Sequence, residues 1–195
     1  MSIPVGIRWW LRGLGAGALV GGAVGFVVGG FLGRAFMRVL ALAEEDALGL
    51  STAMGAIVGD LTAGGTFAIF VFGAFFGAGL GIGYVVARPL LPSGVAWRTS
   101  LFTLGATALL VPVIVNGNLE DFSILPVTLS LGLIVASVAV TALPVPFLVE
   151  RLAPDRERHP GIVSYAIVGL GLAVITVNAA LAVSSAYAVE PALWR

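Results

Sequence analysis

Long apolar runs alternate with short segments that carry nearly all of the charge. The runs cover residues 13–33, 64–87, 99–115, 122–149 and 161–189. Between them lie "RPLLPSG" (88–94), "NGNLED" (116–121) and "ERLAPDRERHPG" (150–161), each rich in turn formers or charges. Runs of this length and continuity exceed the ~9–11 residues of a membrane barrel strand and match the ~20 of a membrane helix. In lipid only helices and closed barrels satisfy the backbone. The pattern therefore predicts an all-α, polytopic helical bundle, a single transmembrane domain over residues 1–195 with five spans. The first span continues from 13 to 43, because everything from Ala35 to Ala43 except Arg38 is apolar. Residues 47–63 are too short and too interrupted to cross. Ser51 or Thr52 can cap a short helix there, so the stretch around 51–60 reads as an interfacial or re-entrant segment.

Arginine placement predicts orientation. With the N-terminus inside, the inner segments hold Arg8, Arg12, Arg88, Arg98, Arg151, Arg156 and Arg158, and the outer ones Arg34, Arg38 and Arg195. That asymmetry favours N-in and C-out. The acids separate the other way: Glu44, Glu45, Asp46, Asp60, Glu120, Asp121 and Glu190 all fall outside. Trp9, Trp10, Tyr84, Trp97 and Tyr165 would lie at the inner interface, with Phe122, Tyr187 and Trp194 at the outer one. The start of the chain imitates a signal peptide cleaved after Ala43. The apolar run is longer than the 7–15 residues of a signal core, and Arg34 and Arg38 lie between it and that site, so it reads as a retained span.

The first span carries a four-residue glycine repeat: Gly13, Gly17, Gly21, Gly25, Gly29 and Gly33. The second has Gly73, Gly77 and Gly81, and a displaced pair, Gly79 and Gly83. Glycine is a poor helix former, but between membrane helices small residues let backbones approach and gain dispersion contact. A glycine zipper joining spans one and two is the simplest reading, with self-association through span one as the alternative. A four-residue step overshoots one α-helical turn by about 40°, so a straight partner cannot follow the whole stripe. Either the partner crosses at an angle or two partners share the surface. Pro112, Pro126, Pro144 and Pro146 can kink the third and fourth spans.

Composition narrows the chemistry. The 195 residues are 59% hydrophobic and 10% charged, with no net charge and a mean hydropathy of +1.08. Soluble domains carry ~25% charged residues, so the lipid bilayer is the expected partner. No nucleic-acid footprint is present. The absence of cysteine removes disulfides, thiolate metal sites and thiol nucleophiles. All ten bases are arginine, with neither lysine nor glutamine, as in a GC-rich bacterial genome; a bacterial inner membrane is the expected location. The one histidine, His159, falls in a loop. No HExxH, GxSxG or P-loop pattern occurs, and "VGD" at 58–60 lacks the earlier glycine of the GxGD pattern. No span centre holds an acid, so no proton relay is evident. Asn178 reads as a helix–helix hydrogen bond. No catalytic residue, metal site or cofactor is expected.

Arg34 and Arg38 remain. An upright helix from Gly13 delivers Arg34 after ~31 Å, close to the ~30 Å of hydrocarbon, where it can snorkel. Arg34, Arg38 and Glu45 share one helix face. The economical reading is a pair of outer-interface arginines ion-paired with Glu45, Asp60 or Glu120. The sharper one is an anion site or gate at the outer mouth.

"GRAFMRVLALAEED" (33–46) followed by "GGTFAIFVFGAFFGAGLG" (64–81) resembles small polytopic membrane proteins of GC-rich bacteria over the first 90 residues or so. The resemblance implies no function. The expectation is a non-catalytic membrane protein, an accessory or assembly subunit or a self-associating bundle, with a protein partner or a second copy held through its membrane helices. The alternative is a small transporter or channel using Arg34 and Arg38.

Overall fold

The computed structural model describes residues 5–43, 59–123 and 125–153, with isolated positions between 48 and 57 and between 177 and 184. The elements it describes are helical. Four are long and apolar enough to cross a membrane: Leu11–Ala43, Ala63–Leu90, Val95–Gly117 and Val127–Leu152. The expected fifth span, 161–189, lies outside the described residues apart from those isolated positions, as do His159 and Asn178.

The first span is one continuous helical stretch in three parts: α1 (Val5–Val24), a π-turn (Gly25–Gly29) and α2 (Gly30–Ala43). Val24 and Gly30 flank the π-turn with helical dihedrals, so the chain does not break there. The Gly30 N–H donates back to the Gly25 carbonyl across the wider ring. The π-turn has a geometric consequence. In an α-helix a four-residue step overshoots a turn by about 40°. A π-turn closes i→i+5 bonds and holds more residues per turn, so the same step falls short. One π-turn midway along the stripe therefore offsets accumulated drift and keeps later glycines near the same neighbour.

That neighbour is α3 (Ala63–Ala87). Thr62 caps it, its hydroxyl accepting from the Gly65 N–H at 3.0 Å. At ~1.5 Å per residue α3 is about 38 Å long, enough to cross a ~30 Å core with both ends in the interfaces. It tightens into a 3-10 turn at Arg88–Leu90, where Pro89 brings no N–H to continue the ladder. Gly94, at φ +106°, takes a conformation L side chains avoid and turns the chain into α4 (Val95–Gly117), which includes Pro112.

A second 3-10 turn, Leu119–Ser123, follows. Phe122, placed by the sequence pattern at the start of an apolar run and at an interface, is 2% exposed here. Pro126 occupies the N-cap of α5 (Val127–Ala142), so it opens a helix rather than bending one. Leu143 keeps helical dihedrals and leads into α6 (Pro144–Leu152), with Pro144 in its first turn. Together α5 and α6 form the fourth span.

One core joins Val20 and Val24 of α1, Leu80 and Tyr84 of α3, Phe102 of α4 and Val145 and Val149 of α6. A second runs between α4 and α5 through Val111, Val115, Leu131 and Val138, with Val183 packed against it. The outward faces are as apolar as the core: Leu19, Phe67 and Phe75 are 78%, 68% and 76% exposed. Exposed apolar surface of this extent marks contact with something other than water, and the helix lengths are compatible with a multi-pass membrane protein in contact with lipid.

Candidate functional site: a carboxylate shared by two arginines

At the α6 end of the bundle, Glu150 gathers donors from two other spans. Its Oε1 accepts from the Tyr84 hydroxyl at 2.6 Å and from Arg98 Nη1 at 2.8 Å. Its Oε2 accepts from Arg88 Nη2 at 3.0 Å. Arg98 is held a second time, its Nε donating to the Pro92 carbonyl at 3.0 Å. Arg88 is 2% exposed and Arg98 8%. Local structure explains the convergence. Arg88 sits in the 3-10 turn that ends α3, and Tyr84 lies one helical turn before it. Arg98 occupies the first turn of α4, and the short turn between brings both guanidinium groups to one end. The Tyr84 ring meets Phe102 edge-on at 5.2 Å, which fixes where its hydroxyl points.

Charge-assisted hydrogen bonds of this kind are shorter and about twice as strong as neutral ones. The arrangement is an ionic clamp on α3, α4 and α6. Three donors from two other spans thus engage the two oxygens of Glu150.

Arg34 lies at the other end of α3. Its Nη2 donates to the Thr62 carbonyl at 3.2 Å and to the Thr66 hydroxyl, tying α2 to the N-terminus of α3. Its Nε is buried without an acceptor. Arg38, one turn on, is exposed. Arg34 and Arg38 line a narrow crevice with Met37, Gly59 and Asp60, and among the described residues no ion pair joins either arginine to Asp60. Glu44, Glu45 and Asp46 lie outside the described residues, as does the side chain of Glu120.

The glycines of the first two spans meet backbone to backbone. A Cβ on Gly17 would lie 2.6 Å from the Gly81 carbonyl oxygen, and one on Gly25 2.7 Å from the Gly77 Cα. Gly21 and Gly77 oppose each other directly, and Gly73 faces Gly25. At the last residue of the π-turn a Cβ on Gly29 would sit 3.7 Å from the Gly73 Cα, and beyond it one on Gly33 would meet the Ile69 side chain at 2.8 Å. Gly79 and Gly83 face open space.

Sequence reasoning counted Arg88 and Arg98 as topological charges and Tyr84 as an interfacial anchor. It missed their convergence on Glu150. One signal was present: Glu150 directly ends the fourth apolar run, so the helix that carries that run carries the acid to the edge of the bundle. Comparison with protein-family models, with curated proteins and with solved structures finds no match to this chain.

Proposed function

We propose that this chain is a non-catalytic membrane protein, an accessory or assembly subunit whose rigid helical bundle presents its outward faces to a partner or to a second copy of itself. The clamp carries this reading. The acid at the α6 end is fully engaged by Tyr84, Arg88 and Arg98, as in a part that holds shape. The glycine faces of the first two spans fill each other within one chain, which leaves the larger outward surface for lipid and partners. A bacterial inner membrane with the N-terminus inside fits the arginine distribution. Isolation in a mild detergent tests the proposal: a membrane partner or a homo-oligomer should co-elute and survive crosslinking, and a lone monomer at native expression would overturn it.

A second reading, a small anion transporter or channel, draws on Arg34. Its described hydrogen bonds go to neutral oxygens, so its charge stays available at the crevice it shares with Arg38. Chloride or phosphate flux into proteoliposomes that drops in Arg34→Gln would favour it; no flux across a panel of anions would remove it.

A further inference from the structure

A groove beside the clamp serves no part of it. Val95, Ala96, Thr99 and Ser100 on the first turns of α4 and Leu143, Pro144 and Phe147 at the junction of α5 with α6 line a shallow, open groove of about 620 Å³. Its walls are apolar apart from the two hydroxyls. One turn beyond Phe147, Arg151 is exposed, with its guanidinium carbon 4.4 Å from the centroid of the Phe147 ring. Glu150 points inward to the clamp while Arg151, its neighbour, lies over the groove wall. The contact is a cation–π one, and the guanidinium carries five N–H donors in its own plane. Trp97 lies on the same end of α4 and is 66% exposed, as amphipathic rings are at headgroup depth.

We propose that this groove binds an anionic phospholipid, with an acyl chain against Leu143, Pro144 and Phe147 and the headgroup phosphate on Arg151. Charge complementarity selects that occupant. An apolar slot open at the end of two spans suits a lipid tail, and Arg151 at its rim has a planar donor set that matches phosphate. A zwitterionic headgroup carries its own cation toward Arg151 and gains less there. The proposal rests on the reading that these helices cross a bilayer.

The test uses Trp97 as reporter in the full chain, with Trp9, Trp10 and Trp194 changed to phenylalanine. The protein is reconstituted with dibrominated phosphatidylglycerol or dibrominated phosphatidylcholine, and quenching gives the relative affinity. The expected result is about a fivefold preference for phosphatidylglycerol, the size of one basic residue's attraction to an anionic lipid surface. The preference should vanish in Arg151→Gln, and also in Ala96→Phe, which fills the groove and keeps the charge. Equal quenching by both lipids in the parent protein would overturn the lipid site while leaving the membrane reading intact. Absence of quenching by either lipid would overturn both.

Discussion

Gly21 and Gly77 lie face to face, each occupying the space a side chain on the other would need. Neither helix can yield locally, because the obstructing atoms are backbone. A methyl group at either position must push α1 and α3 apart. Gly21→Ala and Gly77→Ala should each lower stability by about 1–3 kcal/mol, the usual range for overpacking. Gly79→Ala and Gly83→Ala, which face open space, should be neutral or gain up to ~1 kcal/mol from helix propensity. Thermal unfolding in detergent compares the two sets, and equal behaviour would count against the close contact.

Removing Glu150 leaves two buried arginines without their shared carboxylate. Breaking a buried ion pair from one side costs up to about 3–5 kcal/mol, so Glu150→Ala should be the most damaging single truncation at that end. Tyr84→Phe removes one hydrogen bond to a charged group and should cost about 1.5–3 kcal/mol. Leu152→Ala, at a position 70% exposed, provides the control. If Glu150→Ala unfolds no earlier than Leu152→Ala, the clamp does not hold the spans.

The turn containing Gly94 and the turn containing Asn118 cap opposite ends of α4. Phosphatase and fluorescent-protein fusions at the two sites should report opposite sides of the membrane. The arginine count assigns the cytoplasm to Gly94. A periplasmic signal at Gly94 would reverse the orientation, and matching signals at both sites would mean α4 does not cross.

Arg34 and Thr66 should be energetically coupled. Arg34→Leu and Thr66→Val each remove the bond between α2 and the start of α3, a loss of about 1.5–3 kcal/mol for a hydrogen bond to a charged group. The double variant should lose less than the sum, since residues in direct contact are not additive. Strict additivity in a double-mutant cycle would show that the contact contributes nothing to stability.

The helices were legible where chemistry changes sharply. The run at 64–87 matches α3 almost residue for residue, since Asp60 and Thr62 precede it and Arg88-Pro89 ends it. The third run was read as 99–115, whereas α4 reaches back to Val95 and on to Gly117. Trp97, Arg98 and Asn116 look like loop residues by polarity, yet a helix emerging from lipid carries such residues on its last turns. The glycine repeat marks small-residue faces on two of the runs. It could not announce the π-turn, which adjusts the register of one helix against another. Nor could it announce the clamp. Arg98 and Arg88 lie 52 and 62 residues before Glu150, and a single sequence records nothing of which loop charges meet.

That separation sets an order of events during biogenesis. Arg88 and Arg98 are translated well before the acid that holds them. While only the first three spans exist, the two arginines are uncommitted with respect to Glu150, and in that condition they can act as the anchors that orient the α3–α4 hairpin during insertion. The emergence of Glu150 then supplies the carboxylate that draws the same two side chains together in the finished fold. A nascent chain stalled before residue 150 would hold both arginines and lack the acid that joins them.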